Sequence, residues 1–395
     1  MHVLFSHPSY TGQFGHLARL LVARGYECTF VSESEVEEAA GIRAIRYETG
    51  RIRRASYFSQ DFDEESAHAV AVYEAVKEAR PTLRPDLIVG HAGWGSTLLL
   101  PDRFPDTPTI GYFEYFYHPH GSAIDFRPDW PPPERAVLRH RLQNAMIMLQ
   151  LESCTAGYTP THFQHGLFPA AYGQKVRVLH DGIDTDFWKR TVEPVRRAGE
   201  TRIVTYVSRG LESMRGFDIF MRAAKRIYES YPNVLFLVVG SDSVEYGCDL
   251  DLIPESSFKE HVLKQDDYDL DRIRFLGTVG AEELLRILSL SDLHIYLTVP
   301  FVLSWSVLNA MACGCTVLAS DTAPVRELVR HGENGLLADF FDVEGIAAAA
   351  VEVLKDPDSF RELGRAAERT ILDRYSLTVT LPQLAAFFEE VASNR

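Results

Sequence analysis

Long apolar runs are missing from this chain. No stretch approaches the roughly 20 residues that carry a helix across a bilayer. Nothing resembling a secretory leader precedes the first strand, so the expectation is a cytoplasmic protein without a transmembrane segment. Cysteine is scarce as well: Cys28, Cys154, Cys248, Cys313 and Cys315 are odd in number and scattered apart from one C-x-C pair. That pattern suits a reducing cytoplasm better than a disulfide framework. A zinc site would need further Cys or His at ligand spacing beside Cys313 and Cys315. Positive charge is also in deficit. With 40 Lys and Arg against 55 Asp and Glu, the formal net charge is −15, which argues against wrapping nucleic acid or coating an anionic membrane but leaves room for a local basic pocket.

The length of 395 residues exceeds what one hydrophobic core usually organises, so two domains are the default. The chain opens as a βαβ unit: a strand over His2 to Ser6, a helix from about Gln13 to Arg24 stopped by Gly25, and a strand over Cys28 to Ser32. The loop Ser6 to Gly15 is rich in glycine and hydroxyl groups without matching G-x-G-x-x-G. Its place at the end of a strand still makes it a candidate ligand loop. Further strands over Asp86 to Val89 and Thr109 to Phe113 end in polar and aromatic clusters, His91 to Ser96 and Glu114 to Gly121. Asp125 to Pro133 reads as loop and Pro133 to Ala156 as one long helix. The polar segment Thr191 to Thr201 is the expected linker.

A second βα series follows, with strands at Ile203 to Val207, Val234 to Val239 and Leu293 to Leu297. Between them lie the basic turn Arg209 to Gly216 and an acidic excursion, Ser241 to Asp271. Val299 to Ser320 combines a polar loop, a helix with Ser306 able to cap it, Gly314 as a stop, and a buried strand. The last helix, Leu381 to Ser393, could cross back to the first domain. The expected architecture is α/β, with two doubly wound domains, 1–192 and 193–376, facing each other across a cleft, and 377–395 packed back on the first.

At Arg209, Arg215-Gly216 and Pro300 to Gly314 the chain resembles GT-B glycosyltransferases of the retaining family 4 type. It is most similar to a bacterial branch with a Gly-Gln-Phe loop, a His-x-Gly-Trp-Gly turn and a Tyr-Phe-Glu strand end. These occur here as Gly12-Gln13-Phe14, His91 to Gly95 and Tyr112-Phe113-Glu114. The resemblance implies a nucleotide-sugar donor, used as co-substrate with no cofactor and no essential metal, and a small-molecule or glycan acceptor. It implies donor-diphosphate contacts from Arg209, Arg215, Gly12, Ser304, Trp305 and Ser306. Nucleoside contacts would come from Asn309, Gly240 and Val279, and sugar or acceptor contacts from His91, Trp94 and Tyr117.

Two positions depart from the family pattern. Its two glutamates, with seven residues between them, are here Phe301 and Asn309. Asn309 can still bond a ribose hydroxyl but lacks the charge that makes a carboxylate about twice as strong an acceptor. Where many members carry a histidine near the reacting centre this chain has Glu114, with His118 four residues later as a possible substitute. The competing readings are a degenerate member that binds nucleotide or sugar, or scaffolds a partner, without catalysis, and an epimerase on the same fold. The acidic triplets Asp249-Leu250-Asp251, Asp267-Tyr268-Asp269 and Asp269-Leu270-Asp271 look like metal motifs but are expected in a solvated excursion. Donor base, sugar, acceptor and oligomeric state stay open.

Overall fold

The computed structural model describes residues 1–35, 41–79, 82–192 and 200–393. The chain divides into two compact units. One comprises Met1–Pro119, Glu134–Gly182 and Leu377–Arg395, the other His120–Pro133 and Ile183–Ser376. The division falls at Gly182, ahead of the expected linker, of which residues 193–199 lie outside the described residues. The proline-rich stretch 120–133 groups with the second unit although it precedes the last strands of the first.

The first unit is built on seven strands, β1 (His2–Ser6), β2 (Glu27–Ser32), β3 (Ile42–Arg46), β4 (Leu87–His91), β5 (Thr109–Tyr112), β6 (Ala156–Thr159) and β7 (Val176–Val178). Their order is β3-β2-β1-β4-β5-β6-β7, and each pairing is parallel. Strands buried on both faces need continuous apolar runs, and Val3, Leu4 and Phe5 or Leu87, Ile88 and Val89 supply them. The helix Leu377–Ser393 packs here: Leu384, Phe387 and Phe388 share one cluster with Val3, Phe5, Phe14 and Leu17. Pro133 to Ala156, expected as one helix, is two, Glu134–Leu142 and Asn144–Ser153.

The second unit carries β8 (Arg202–Gly210), β9 (Val234–Ser241), β10 (Ile273–Gly277), β11 (Leu293–Tyr296), β12 (Val317–Ser320) and β13 (Leu336–Ala338), all parallel, in the order β10-β9-β8-β11-β12-β13. The helix Phe217–Ser230 buries Phe217, Phe220, Met221, Ala224 and Ile227 at helical spacing. The helix Trp305–Ala312 is buried from Ser306 to its end. The acidic excursion contains a 3-10 turn, Asp249–Asp251, and the helix Phe258–Gln265.

Candidate functional site

In an open parallel sheet, ligands sit outside the carboxyl ends of the strands at the point where strand order reverses. The first unit reverses between β1 and β4, the second between β8 and β11. Those four strand ends are followed by the Ser6–Gly15 loop, the His91–Gly95 turn, the Arg209–Gly216 turn and the Leu297–Ser304 loop. Each of the four is a loop that the sequence patterns single out.

At the β1 end, His7 is buried and its Nδ1 lies 3.0 Å from Ser9 N and 2.7 Å from Ser9 O. Gly12 has φ +52°, and a Cβ there would fall 2.7 Å from the His7 ring, so the loop can lie on the imidazole only with glycine. At the β4 end, His91 Nδ1 accepts from Gly93 N at 3.0 Å, which leaves the ring proton on Nε2, 3.6 Å from Glu114 Oε2. The His7 ring meets the rings of His91 at 5.6 Å and Trp94 at 6.2 Å. Burial, aided by His91, pushes His7 down to about 3, so this imidazole is neutral at any physiological pH.

The structure therefore brings together Gly12, His91, Trp94 and Glu114, and adds His7 of the Ser6–Gly15 loop, which the sequence patterns did not single out. It does not support His118 as a substitute for Glu114. His118 Nε2 donates to Leu167 O at 2.8 Å and its ring packs on Phe116, so it is committed to a backbone carbonyl. Tyr117 is clamped through its backbone, accepting from Asn144 Nδ2 at 2.7 Å and donating to Asn144 Oδ1 at 2.8 Å, while burial raises its phenol. A second residue that the sequence reading missed is Glu65, on the helix Gln60–Ala79. Its carbonyl would lie 2.6 Å from a Cβ on Gly95, and burial, with Asp61 and Glu64 nearby, pushes its carboxyl up to about 9. Only the tertiary fold sets it against the Trp94 turn, so no local signal could have found it.

In the second unit β8 runs to Gly210, and a 3-10 turn, Ser213–Arg215, leads through Gly216 into the helix Phe217–Ser230. Gly216 has φ +61°, and a Cβ there would lie 2.9 Å from Leu297 Cβ. The two arginines differ. Arg209 is exposed, and its Nε pairs with Glu245 Oε2 at 2.9 Å. Arg215 is only 3% exposed. Its Nη1 donates to Thr298 Oγ1 at 2.9 Å and Val302 O at 3.0 Å and lies 3.3 Å from Tyr296 Oη. Tyr246 and Phe301 stack on the guanidinium at 5.2 and 5.6 Å. Arg215 thus ties the loop after β11 to the turn after β8. All three bonds leave from Nη1, so among the described residues the Nε–Nη2 edge, a fork matched to two oxygens, is uncommitted.

Glu212 organises the opposite wall. It is fully buried, and its Oε2 accepts from the backbone N–H groups of Glu245, Tyr246 and Gly247 at 2.9, 2.9 and 3.2 Å. These bonds hold Tyr246 where it meets both Arg215 and Phe301. Phe301 fills with an aromatic ring the place where the family pattern has its first carboxylate.

The helix after β11 is capped by Ser304, not by Ser306: Ser304 Oγ accepts from Ser306 N at 3.2 Å, and the helix begins at Trp305. Ser306 lies two residues too far in to cap, and its Oγ reaches Val207 O at 3.1 Å. Ser304 N donates to Tyr296 Oη at 2.9 Å, while Trp305 is 47% exposed. Asn309 is buried, and its Oδ1 has no hydrogen-bond partner among the described residues. A buried amide oxygen left without a donor costs roughly 1–3 kcal/mol.

Gly240, φ +154°, lets β9 approach Ser208, whose carbonyl would lie 2.8 Å from a Cβ there. Val279 follows β10 and packs half-buried on the core around Leu285 and Leu288. The acidic excursion is not uniformly solvated. Asp249 is buried, accepts from Ser213 N at 2.9 Å and Trp130 Nε1 at 2.9 Å, and also bonds Ser213 Oγ. Among the described residues no three His, Cys, Asp or Glu side chains converge as a metal-binding group. None of the helices described is long and apolar enough to cross a membrane.

Two family models match, that of the glycosyl transferase family 4 group over residues 24–188 and that of glycosyl transferases group 1 over residues 189–370. The chain is 25% identical over 221 residues to N-acetyl-alpha-D-glucosaminyl L-malate synthase of Bacillus anthracis, covering 55% of this chain and 54% of that protein. It is 28% identical over 200 residues to a phosphatidyl-myo-inositol mannosyltransferase of Mycolicibacterium smegmatis, covering 49% and 46%. The match thus spans about half the length of these curated relatives. Among solved structures, sucrose-phosphate synthase from Thermosynechococcus elongatus superposes with a TM-score of 0.74 at 19% identity over the whole of both chains. Anabaena Alr3699/HepE in complex with UDP and glucose does so with 0.71 at 17%, over 99% of this chain and 100% of that one. With adjoining family models covering the chain from residue 24 to residue 370 and two parallel sheets like those of its structural neighbours, the chain belongs to the family 4 group of glycosyltransferases and has the GT-B fold.

Proposed function

We propose that this chain transfers a sugar from a nucleotide-sugar donor to a hydroxyl of a small molecule or glycan, with retention at the anomeric carbon and without a metal. The observation that carries the reading is the convergence at the β8/β11 reversal of three things: Arg209, the open edge of Arg215 and the amino end of the helix Trp305–Ala312. Guanidinium forks and the positive end of a helix dipole are what a departing diphosphate needs, since negative charge grows there as the C1–O bond breaks. The acceptor oxygen bonds to C1 on the face the diphosphate leaves, and its proton passes to a phosphate oxygen. The protein's part is positioning and charge stabilisation, which requires no protein nucleophile. Asn309 Oδ1 accepts from a ribose hydroxyl, with Gly240 and Val279 beside the base. In the first unit Glu114, 3.6 Å from His91 Nε2, orients the acceptor hydroxyl or faces the positive charge on the sugar ring, and His7, Trp94 and Tyr117 shape the surroundings. The test is turnover of UDP-, GDP-, ADP- and TDP-sugars in the presence of a chelator. If none is hydrolysed or transferred, with or without added metal, the reading fails.

Phe301 and Asn309, standing for two carboxylates, favour one alternative, a protein that binds donor without turning it over. Asn309→Glu separates the two. A gain in nucleotide affinity with no turnover in either form supports binding alone, whereas turnover by the native chain rejects it.

A further inference from the structure

Residues 120–133 run between Pro119 and Glu134, both in the first unit, yet pack as part of the second. Arg127 holds them there. Its side chain is 4% exposed, and all five of its N–H donors are used. Nη1 donates to Asp218 Oδ1 at 2.7 Å and Ser213 O at 3.1 Å, Nη2 to Asp218 Oδ2 at 2.7 Å and Asp129 Oδ2 at 2.8 Å, and Nε to Asp129 Oδ1 at 3.3 Å. The ring of Phe340 lies under the guanidinium at 5.5 Å. Three residues on, Trp130 Nε1 donates to Asp249 Oδ1 at 2.9 Å, and Asp249 in turn accepts from Ser213 N and binds Ser213 Oγ.

Both anchors therefore end on one residue. Arg127 takes the carbonyl of Ser213, and Trp130, through Asp249, takes its N–H and hydroxyl. Ser213 opens the 3-10 turn whose last residue is Arg215, and Asp218 lies in the first turn of the helix that follows. A buried ion pair adds little net stability over an apolar contact of the same volume. A planar fork with every donor engaged instead fixes position, which apolar packing does less sharply. So the chemistry of this strap is that of a locating device, aimed at the turn that presents Arg215.

We propose that Arg127 and Trp130 are positioning residues for the donor-phosphate turn, which they hold from a segment supplied by the first half of the chain. The proposal rests on the reading of Arg215 as a diphosphate ligand. Trp130→Phe keeps the ring against Phe258 and His261, now 5.4 and 5.6 Å away, and removes only the N–H. Arg127→Lys keeps the charge but gives three donors without the fork. The experiment titrates UDP, GDP and ADP into the full chain and its variants, and measures donor and acceptor KM with a donor that is turned over, well below each variant's Tm. The expected result is nucleotide affinity weakened about tenfold or more in each variant, donor KM rising in step, and acceptor KM unmoved. Wild-type affinity in folded variants, or equal losses toward donor and acceptor, overturns the strap's role while the donor-site reading stands. A wild type that binds none of the three nucleotides overturns the donor site and the strap together.

Discussion

Glu212 is fully buried with one oxygen, Oε2, taking three backbone N–H groups and the other, Oε1, without a partner among the described residues. Burial pushes its carboxyl from the ordinary 4.5 up to about 7, against the pull of those N–H groups and of Arg215. That displacement corresponds to about 3 kcal/mol, at 1.36 kcal/mol per pH unit. A folded chain that holds the proton more tightly than the unfolded one draws stability from it below about pH 4.5 and loses that contribution as the pH rises toward 7. Glu212→Gln does not titrate, and its amide oxygen still accepts from the 245–247 loop. The difference in unfolding free energy, variant minus wild type, is therefore expected to grow by about 2–3 kcal/mol between pH 4.5 and 7 and then to level off. Urea unfolding of both proteins at a series of pH values measures it, and every other titrating group cancels in the difference. A flat difference across that interval would refute the claim that burial sets this carboxyl. In Glu212→Ala the three N–H groups lose their acceptor and Tyr246 its anchor, so nucleotide affinity should fall together with stability.

Other outcomes are equally checkable. Arg215→Met should weaken nucleotide binding by roughly 2 kcal/mol, about thirtyfold, through loss of charge-assisted hydrogen bonds; an unchanged titration would remove Arg215 from the donor site. Gly216→Ala should cost about 1–3 kcal/mol, because φ +61° and a Cβ 2.9 Å from Leu297 Cβ both penalise a side chain, and an unshifted Tm would show that the turn relaxes freely. His91→Ala should lower kcat roughly 10- to 100-fold, by removing the ring that stands 3.6 Å from Glu114, with nucleotide affinity intact. A parallel loss of affinity would make His91 structural.

The strands and their loops were legible because they are local. Val3-Leu4-Phe5 and Leu87-Ile88-Val89 are runs that only a strand buried on both faces tolerates, and glycine and polar clusters mark where each ends. Residues whose meaning depends on a partner far along the chain were not legible. His118 and Glu114 are four residues apart and looked interchangeable, yet His118 donates to Leu167 O while Glu114 lies 3.6 Å from His91 Nε2. Asp125 to Pro133 read as a loop by composition, which says nothing of Arg127 meeting Asp218 across 91 positions. Asp249 looked like solvated acid until Ser213 and Trp130 were found bonded to it. Ser306 and Ser304 are equally good caps as letters, and the choice fell to Ser304 because the backbone enters the helix at Trp305.

By itself the sequence determined the doubly wound α/β class, the two βα series, the four ligand-facing loops, and the two positions, Phe301 and Asn309, that set this chain apart in its family. Those follow from apolar periodicity, glycine placement and residue chemistry, each read within a short window. Tertiary structure alone decided that Arg215 is buried and braced with one edge open, that Phe301 shares its aromatic support with Tyr246, and that a segment from the first half of the chain completes the second unit. Hydrogen bonds and buried charges are satisfied by whichever groups the strand order brings near, and strand order is a property of the whole chain rather than of any window in it.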